Sequence, residues 1–522
     1  MVEILLYLVK KVREQKFIYS YQKFRRHIML ERVKTIVLII LVLNSIHLTG
    51  RLWITDHNYE ATSDQNLEEI TYGEQPATFD QLSPEYIGYI DLKSEQEADE
   101  VRLLYETDER FDEAWGIIKN KLKNIKQLDD DIHEKNELTL SSPYIIFRLP
   151  NICLPSLFWE DELLQFSFED GFKDILITYS DEPEILLVNN EKTKGYFLDV
   201  NLTEQESDKL LNSLKESNWG RNFDSQLLSQ TYKEVTQNYL FDCIKEENNE
   251  ELLLSSETEL LGLIENQSQQ IAQTSVSEYV PRPDKKFYPK AVEFESIDHK
   301  RLAKAFFLDL SFVRKIEERD GTNIFTDGQR GLRLYPEGAV HYNAPRTEDR
   351  NLMRVDYYDL LEQGGHYISL YGGWEEHLRV TELNPSESTR EYSSINYRYY
   401  HNGVPIMTDK AVEIRLFGNS IVEYRRQVPK TFQRINKDGE MISIDKALQK
   451  WLYSELDNKV EEKKLQDFKD ITSKLSQNIT QLKRTFLGFD LLRENNAYYI
   501  EPIWILEFED GTHEFIPAWK VD

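Results

Sequence analysis

The sequence predicts an α+β protein, with one N-terminal transmembrane helix followed by a three-domain mixed α/β extracytoplasmic region. Three observations indicate this architecture. The 522 residues are 40% hydrophobic and 12% aromatic, enough to form several folded cores. A single charge-free apolar stretch lies close to the N-terminus. Beyond it, short strand-like runs alternate with segments of helical periodicity.

The net charge is divided unevenly along the chain. Residues 1–34 contain nine Lys and Arg against three Asp and Glu, a net charge of +6, whereas the remaining 488 residues carry −35. A membrane between the two parts accounts for this asymmetry, and the basic side is the one that stays in the cytoplasm. We therefore expect a basic cytoplasmic N-terminus over 1–34 and a large part outside the cell membrane. The overall charge of −29 argues against a nucleic-acid partner.

The predicted transmembrane anchor covers residues 35–54. The 16 residues between Lys34 and Arg51 include no charged side chain, and residues 36–43 are aliphatic throughout. Sixteen helical residues rise about 24 Å, less than the ~30 Å hydrocarbon core, so we expect the Leu-Trp-Ile at 52–54 to extend the span. A buried core helix and a cleaved signal peptide are the alternatives. The one-sided basic flank and the lack of a small-x-small cleavage pattern favour an uncleaved anchor.

Polar side chains follow one stripe of this segment. Asn44, His47 and Arg51 recur at i, i+3 and i+7, with Ser45 and Thr49 beside them. Because unpaired polar groups in lipid cost several kcal/mol, we expect the stripe to face a partner helix. The alternative is a single tolerated Asn44. The predicted partner-helix interface consists of Asn44, Ser45, His47, Leu48, Thr49 and Arg51.

The N-terminal ectodomain and its linker helix are predicted over 56–280. A helix is expected at 95–126, and a Thr203-to-Glu206 capping box opens another that runs to 214. The expected strands are 144–149, 174–179, 184–188 and 196–200. An acidic, then Gln/Ser-rich stretch broken by Pro281 and Pro283 predicts a boundary near 280.

A central α+β domain is predicted over 286–430 and a C-terminal one over 431–522. The turn pairs Asn402-Gly403, Gly418-Asn419 and Asp510-Gly511 predict hairpins. Central-domain helices are expected at 298–317 and 355–363, with strands at 332–335, 339–342 and on either side of the first two turns. C-terminal helices are expected at 445–456 and within 459–484, with strands at 498–508 and 512–517.

No motif for catalysis, a metal or a cofactor stands out, so no catalytic residue is predicted. His366 and His377, with Glu375 and Glu376, could supply zinc ligands. We favour a simpler interpretation, in which Gly364-Gly365 and Gly372-Gly373 form turns among exposed polar residues. Two cysteines, Cys153 and Cys243, allow at most one disulfide, and their pairing is left open.

Aromatic residues cluster in the segment 390–403. In a strand, Ile395, Tyr397 and Tyr399 share one face, while Asn396, Arg398 and Tyr400 share the other. Tyr and Arg are enriched at protein interfaces. The favoured alternative is a strand buried on both faces. The candidate ectodomain interface consists of Tyr397, Arg398, Tyr399 and Tyr400.

Several segments in order resemble the YycH (WalH) family. "VKTIVLIILVLNSIHLTGRLWITDHNYE" (33–60) is similar to its anchor, and "IFTDGQRGLRLYPEGAVHYNAP" (324–345) to its Thr-Asp-Gly-x-Arg strand pair. "YRYYHNGVPIM" (397–407), "VEIRLFGNSIVEYRR" (412–426) and "FIPAWKVD" (515–522) resemble its Asn-Gly-x-Pro strand, the hairpin after it and its Pro-x-Trp ending. The resemblance covers residues 30–522. Residues 1–28 extend beyond the usual start, and Met29 could begin a family member.

The resemblance implies a non-enzymatic regulator in the WalK/WalR (YycG/YycF) two-component system, which controls cell-wall metabolism. It implies two partners, a WalK-like sensor kinase and a YycI-like membrane protein, contacted largely through transmembrane helices in the lipid bilayer. It implies no cofactor and leaves the sign of regulation open. The alternatives are an anchored glycan-binding protein or wall-active hydrolase, which needs a cleft with an aromatic platform or perturbed acids, and a structural envelope subunit.

Overall fold

The computed structural model divides the chain into two compact units, residues 1–69 and 70–522. Of the first unit it describes only residues 34, 38, 41–42 and 44–45, which are helical and exposed. Among the helices it describes, none is long and apolar enough to cross a membrane. The rest of the predicted anchor, including His47, Leu48, Thr49 and Arg51, lies outside the described residues. The second unit is described over residues 72–92, 100–123, 143–153, 171–178, 183–188, 195–198, 202–246, 250–274, 276–283, 287–307, 309–346, 355–386, 391–407, 410–459, 465–495 and 497–520.

The first sheet has eight antiparallel strands in the spatial order β6-β5-β4-β3-β1-β2-β7-β8. Its apolar runs, such as Ile185–Val188, are buried on both faces, as expected for strands covered on two sides. The strands are β1 Tyr86–Asp91, β2 Glu100–Leu104, β3 Tyr144–Cys153, β4 Phe172–Thr178, β5 Ile185–Val188, β6 Gly195–Leu198, β7 Asn218–Asp224 and β8 Ser277–Pro281.

The helices of this region are α1 Thr78–Gln81, α2 Glu109–Lys123, α3 Glu204–Lys215, α4 Ser225–Glu246 and α5 Glu250–Ala272. The capping box is confirmed, since Thr203 and Glu206 each bond to the other's backbone at the start of α3. The helix predicted over 95–126 is wrong in its first half. Residues 100–104 form β2 between β1 and β7, and only α2 keeps the helical stripe, burying Phe111, Trp115 and Ile118.

The second sheet has nine strands, ordered β10-β11-β12-β13-β18-β17-β15-β14, with β16 paired to β15. They are β10 Arg314–Glu317, β11 Asn323–Thr326, β12 Gly331–Leu334, β13 Val340–Asn343, β14 Leu378–Asn384, β15 Ser393–His401, β16 Val404–Pro405, β17 Val412–Phe417 and β18 Ser420–Arg426. Two of the predicted hairpin turns are confirmed, with left-handed backbone at Asn402, Gly403 and Gly418.

The helix predicted over 298–317 is shorter than expected. Asp298 caps α6, His299–Phe306, and a 3₁₀ turn at Leu310–Phe312 follows, capped by Asp309. The chain then enters β10, because the residues after the turn pair with β11. The second helix of this region, α7, spans Tyr357–Leu370.

The third sheet has five strands, ordered β19-β9-β22-β21, with β23 also paired to β22. They are β9 Lys290–Phe294, β19 Pro429–Arg434, β21 Leu482–Glu494, β22 Ala497–Phe508 and β23 His513–Pro517. A short pair, β20 Glu440–Met441 and β24 Trp519–Lys520, lies beside it. The last helices are α8 Ile444–Lys459 and α9 Leu465–Thr480. The third predicted turn is confirmed by the positive φ of Gly511.

The linker helices pack against the C-terminal ones. The Tyr232 hydroxyl of α4 donates hydrogen bonds to Gln267 of α5 (2.8 Å) and to the Thr472 carbonyl of α9 (3.1 Å). Cys243 is buried in the same core. The strands of the second sheet lie within 314–426, whereas β9 joins strands that follow residue 428. The division into three domains at 280 and 430 stays a prediction.

Candidate functional site

The aromatic strand β15 lies inside the second sheet, between β14 and β17. Tyr397, Tyr399 and Tyr400 are buried, and Arg398 is partly buried. The Tyr397 hydroxyl donates to Gln81 at 2.8 Å, and the Tyr400 hydroxyl donates to Glu85 at 2.9 Å. This burial is what the favoured alternative expects, a strand buried on both faces, and it leaves Tyr397, Tyr399 and Tyr400 inaccessible to a partner in this structure. Because the hydroxyls of Tyr397 and Tyr400 are bound inside the molecule, these two tyrosines join the second sheet to the first region.

Helix α7 approaches this strand closely. Gly364 and Gly365, predicted to form a turn, lie inside the helix, and that prediction is wrong. A Cβ on Gly364 would collide with the Tyr397 hydroxyl and with the Ile395 side chain. The glycine pair therefore serves close packing of the helix on the sheet. Gly372 and Gly373 do adopt the positive φ values of a turn.

A charged contact at the surface joins β14 to the end of β2; we name Glu106, His377 and Arg379 the rim junction. One Glu106 oxygen is paired with the Arg379 guanidinium, and the other lies 3.2 Å from His377 Nδ1. Burial raises the pKa of Glu106, but His377 and Arg379 outweigh it and hold that pKa below its usual value. Glu106 in turn raises the pKa of His377, whose side chain is 43% exposed.

His377 is therefore engaged by a carboxylate from another part of the chain. His366 lies apart from it, exposed on α7. Within the residues that the structure describes, no group of three His, Cys, Asp or Glu side chains could hold a metal ion.

A second charged contact lies inside the molecule; we name Arg148, Asp174 and Glu278 the buried junction. Arg148 Nε lies 2.8 Å from Asp174 and its Nη2 lies 3.5 Å from Glu278, all three side chains being at most 5% exposed. The Tyr86 hydroxyl donates to Glu278 at 2.7 Å. Burial raises the pKa of Glu278, but the positive charges of Arg148 and Lys173 hold it below its usual value.

The charge network continues into the other two sheets. Arg484 of β21 lies 2.6 Å from Glu507 and 3.8 Å from Glu85, and Glu85 accepts the hydroxyl of Tyr400 from β15. Side chains of all three large sheets thus meet around the buried junction. Burial of charges is favourable only where they are paired, so this network fixes how the sheets pack.

One further cation of the network is Lys173 on β4. Its burial, together with the positive charges of Arg484 and Arg148, lowers its pKa to about 7. Unlike Arg148, Lys173 is only partly protonated at neutral pH.

A small cavity of about 240 Å³ opens beside Trp219, where the loop after β8 meets the Asn402 turn. The indole is 42% exposed, and the Arg102 guanidinium lies 3.4 Å from its ring centre. Arg282 and Phe287 also line the cavity. None of the described lining residues carries a carboxylate.

One face of the second sheet presents arginines to solvent. Arg425 lies 2.7 Å and Arg415 3.0 Å from Glu423, which lies beneath them with 12% of its side chain exposed. The two arginine side chains are about half exposed. Glu413 lies 3.7 Å from Arg425 and 3.9 Å from Arg415, so two carboxylates offset the charge of the two arginines on this face.

Apart from His377, which was considered as a zinc ligand, the junction residues were not singled out from the sequence. Arg148 and Lys173 do leave a signal, because each interrupts or opens a strongly apolar strand. Nothing in the sequence indicates that Arg148 pairs with Glu278, which lies 130 residues later. The predicted binding roles of Arg398, Asn44 and Ser45 stay predictions.

Comparison with known protein families finds one family model that matches part of the chain. Residues 275–517 match the sequence model described as YycH protein, C-terminal domain. The match runs from just before β8 to the last residue of β23, and so includes the second and third sheets. Among curated proteins, the chain has no significant match.

Proposed function

The C-terminal domain at residues 275–517 makes this chain a YycH-family protein, and we propose that it is a membrane-anchored, non-catalytic regulator of a WalK-type sensor histidine kinase. The YycH domain fits a regulator of the WalK/YycG system. The family match is the observation that carries the proposal. Through the kinase, the protein would influence cell-wall metabolism, together with a YycI-like membrane protein.

The proposed mechanism uses both parts of the chain. Residues 1–34 stay in the cytoplasm, the segment 35–54 spans the cell membrane, and the acidic part lies outside. The stripe of Asn44, Ser45, His47, Leu48, Thr49 and Arg51 packs against partner helices, and the ectodomain biases that packing. Regulation requires that these contacts differ between the two states of the kinase. The contacts of Glu85 with Arg484 of the third sheet and Tyr400 of the second support an ectodomain that acts as one body.

A bacterial two-hybrid assay tests the helix contact. The full chain and residues 29–60 alone are each paired with the organism's WalK-like kinase. We expect both to bind, and Asn44→Leu to weaken binding because it removes a polar group that prefers a protein partner to lipid. Val42→Leu, on the opposite side of the same helix, is the matched control. Binding by the full chain alone would move the contact to the ectodomain, and binding by neither would refute the proposal.

The Trp219 cavity is the one observation that favours the alternative of a glycan-binding protein, since sugars stack on exposed aromatic rings. Arg102 already covers one face of the indole, and no lining carboxylate could act as the acid of a hydrolase. These two facts favour the regulator. Titration of the intrinsic fluorescence with soluble glycan fragments distinguishes the two: saturable quenching lost in Trp219→Leu would support the alternative.

A further inference from the structure

Strand β10 lies at the end of the second sheet, and among the residues that the structure describes its one neighbouring strand is β11. All four of its residues are exposed. Two apolar side chains stand out on this edge, because Ile316 is 49% exposed and Phe312, just before the strand, is 62% exposed. Edge strands usually carry charges that prevent pairing with other chains, so an apolar residue at the middle of one calls for an explanation.

The hydrogen-bonding groups of the open edge follow from the register. The Glu318 amide donates to the Thr322 carbonyl at 2.8 Å, and Ile316 is paired with Ile324. Because the direction of backbone groups alternates along a strand, the amides and carbonyls of Lys315 and Glu317 point away from β11. They are therefore placed to pair with a further strand.

The sequence of this edge is complementary to itself. It reads Arg314, Lys315, Ile316, Glu317, Glu318. In an antiparallel pair centred on Ile316, Lys315 of one copy lies opposite Glu317 of the other, and Arg314 lies opposite Glu318. Symmetry makes each ion pair occur twice, and the exposed Ile316 side chain meets its own counterpart. Opposite charges facing each other across strands stabilise the pairing.

Neighbouring registers lose this match. Because only the backbone groups of Lys315 and Glu317 point outward, the nearest alternative registers are shifted by two residues, and they place either Lys315 or Glu317 against its own counterpart. A merely protective charge pattern has no reason to reverse its sign about one apolar residue. The pattern favours a second copy of this chain over an unrelated strand.

We propose that two copies of the chain pair through β10 about a two-fold axis at Ile316, so that their second sheets join into one. The inference does not depend on the proposed kinase partner. So short an edge buries much less than the roughly 1,000 Å² expected of a stable interface, so the pairing is weak in solution. Attachment of both copies to one membrane would raise their effective concentration and favour it.

Disulfide trapping in the full chain tests the register. In an antiparallel pair the two Ile316 Cα atoms face each other across a non-hydrogen-bonded position, about 4.5 Å apart, within the range of a disulfide. We expect Ile316→Cys to form a covalent dimer under mild oxidation, seen on a non-reducing gel. Glu509→Cys, an exposed position in the turn between β22 and β23, should give little beyond the parent chain. Equal dimer from both variants, or capture of a different protein by Ile316→Cys in cells, would overturn the proposal.

Charge reversal and exchange in the Ile316→Cys chain test the pairing chemistry. Lys315→Glu sets like charges opposite each other twice, and we expect the trapping rate to fall about fivefold or more. Adding Glu317→Lys exchanges the charges and should restore the rate. Lys446→Glu, the same charge change on α8, should leave it unaltered. A drop that the exchange does not rescue, or no drop at all, would refute self-pairing, and circular dichroism verifies that each variant is folded.

Discussion

The buried junction links three strands of the first sheet with charges, whereas the rim junction links the end of β2 to β14 of the second sheet, and water reaches only the rim junction. Arg148, Asp174 and Glu278 are at most 5% exposed, whereas 43% of the His377 side chain is exposed at the rim. In the interior, a charge that loses its partner has nothing to replace it. At the rim, water can replace the contact that His377 loses, although Arg379 is 3% and Glu106 10% exposed. The same chemistry therefore fixes the fold in one place and stays adjustable in the other.

The largest effect is expected at the buried junction. Arg148→Met leaves two buried carboxylates without their shared cation, and we expect the free energy of unfolding of residues 70–522 to fall by about 3–5 kcal/mol. Urea unfolding followed by circular dichroism measures it. Lys209→Met is the matched control, because Lys209 is paired with Glu113 on the surface and should change stability by less than about 0.5 kcal/mol. A loss below 1 kcal/mol for Arg148→Met would mean that the network relaxes around the gap.

The neighbouring Lys173 should respond in the opposite direction. Its pKa is about 7 in the folded chain, against about 10.4 in the unfolded chain. Between pH 7 and about 10.4 the unfolded state binds more protons than the folded state. The free energy of unfolding therefore falls as the pH is lowered from about 10.4 towards 7. We expect Lys173→Met to raise the free energy of unfolding at pH 7 by about 1–3 kcal/mol. The gain should shrink at pH 9.5. Destabilisation at both pH values would show that the ammonium group is needed by Glu278 or Glu85.

Tyr400→Phe asks how much one hydrogen bond into the charge network contributes. The substitution removes the donor to Glu85 but keeps the ring, and Arg484 remains near the carboxylate. We expect a loss of about 1–2 kcal/mol in the free energy of unfolding. Tyr392→Phe, at a half-exposed tyrosine, should cost much less. Equal effects of the two substitutions would mean that the hydrogen bond from Tyr400 to Glu85 makes no particular contribution to the free energy of unfolding.

Local signals were sufficient for much of the fold. Turn residues that need positive φ located the hairpins at Asn402, Gly418 and Asp510-Gly511, and the capping box placed the start of α3. The errors occurred where a segment with helical periodicity pairs with a neighbouring strand instead of forming a helix. The apolar residues of 100–104 fit a helical stripe, but pairing with β1 and β7 makes them a strand. Likewise, the segment after Phe306 leaves the helix because β11 supplies a partner strand.

The junctions could not be predicted in the same way. Glu106 meets Arg379 across 273 residues, and Arg148 meets Glu278 across the packing of two strands. No periodicity within a single segment indicates which residues that are distant in sequence will pair. The aromatic strand shows the same limit, because alternation gave the faces of β15 and favoured burial on both, but no pattern in the segment identified the residues that cover it. Tertiary packing decides burial, and it decides it for Tyr397 and Tyr400 through partners more than 300 residues away.

The smallest effect, and the one most sensitive to conditions, is expected at the rim. Glu106 raises the pKa of His377 above its usual 6.5, so its contribution to stability is complete below about pH 6.5 and is lost as the pH rises through the folded value. The charged groups that act on it are Glu106, Arg379, Glu375, Glu376 and Asp112, whereas burial and the charge of Lys290 lower the pKa of the nearby His401 to about 3 and keep it neutral.

His377→Gln should remove this dependence. We expect the fall in the free energy of unfolding between pH 6 and pH 8.5 to be smaller in the variant than in the parent chain. Because the imidazole is substantially exposed, the difference should stay below about 1 kcal/mol. His366→Gln, at an exposed histidine of α7, is the control and should reproduce the parent's slope. An unchanged slope in His377→Gln would mean that the pair with Glu106 contributes no pH-dependent stability, and the rim would then be held by Arg379 alone.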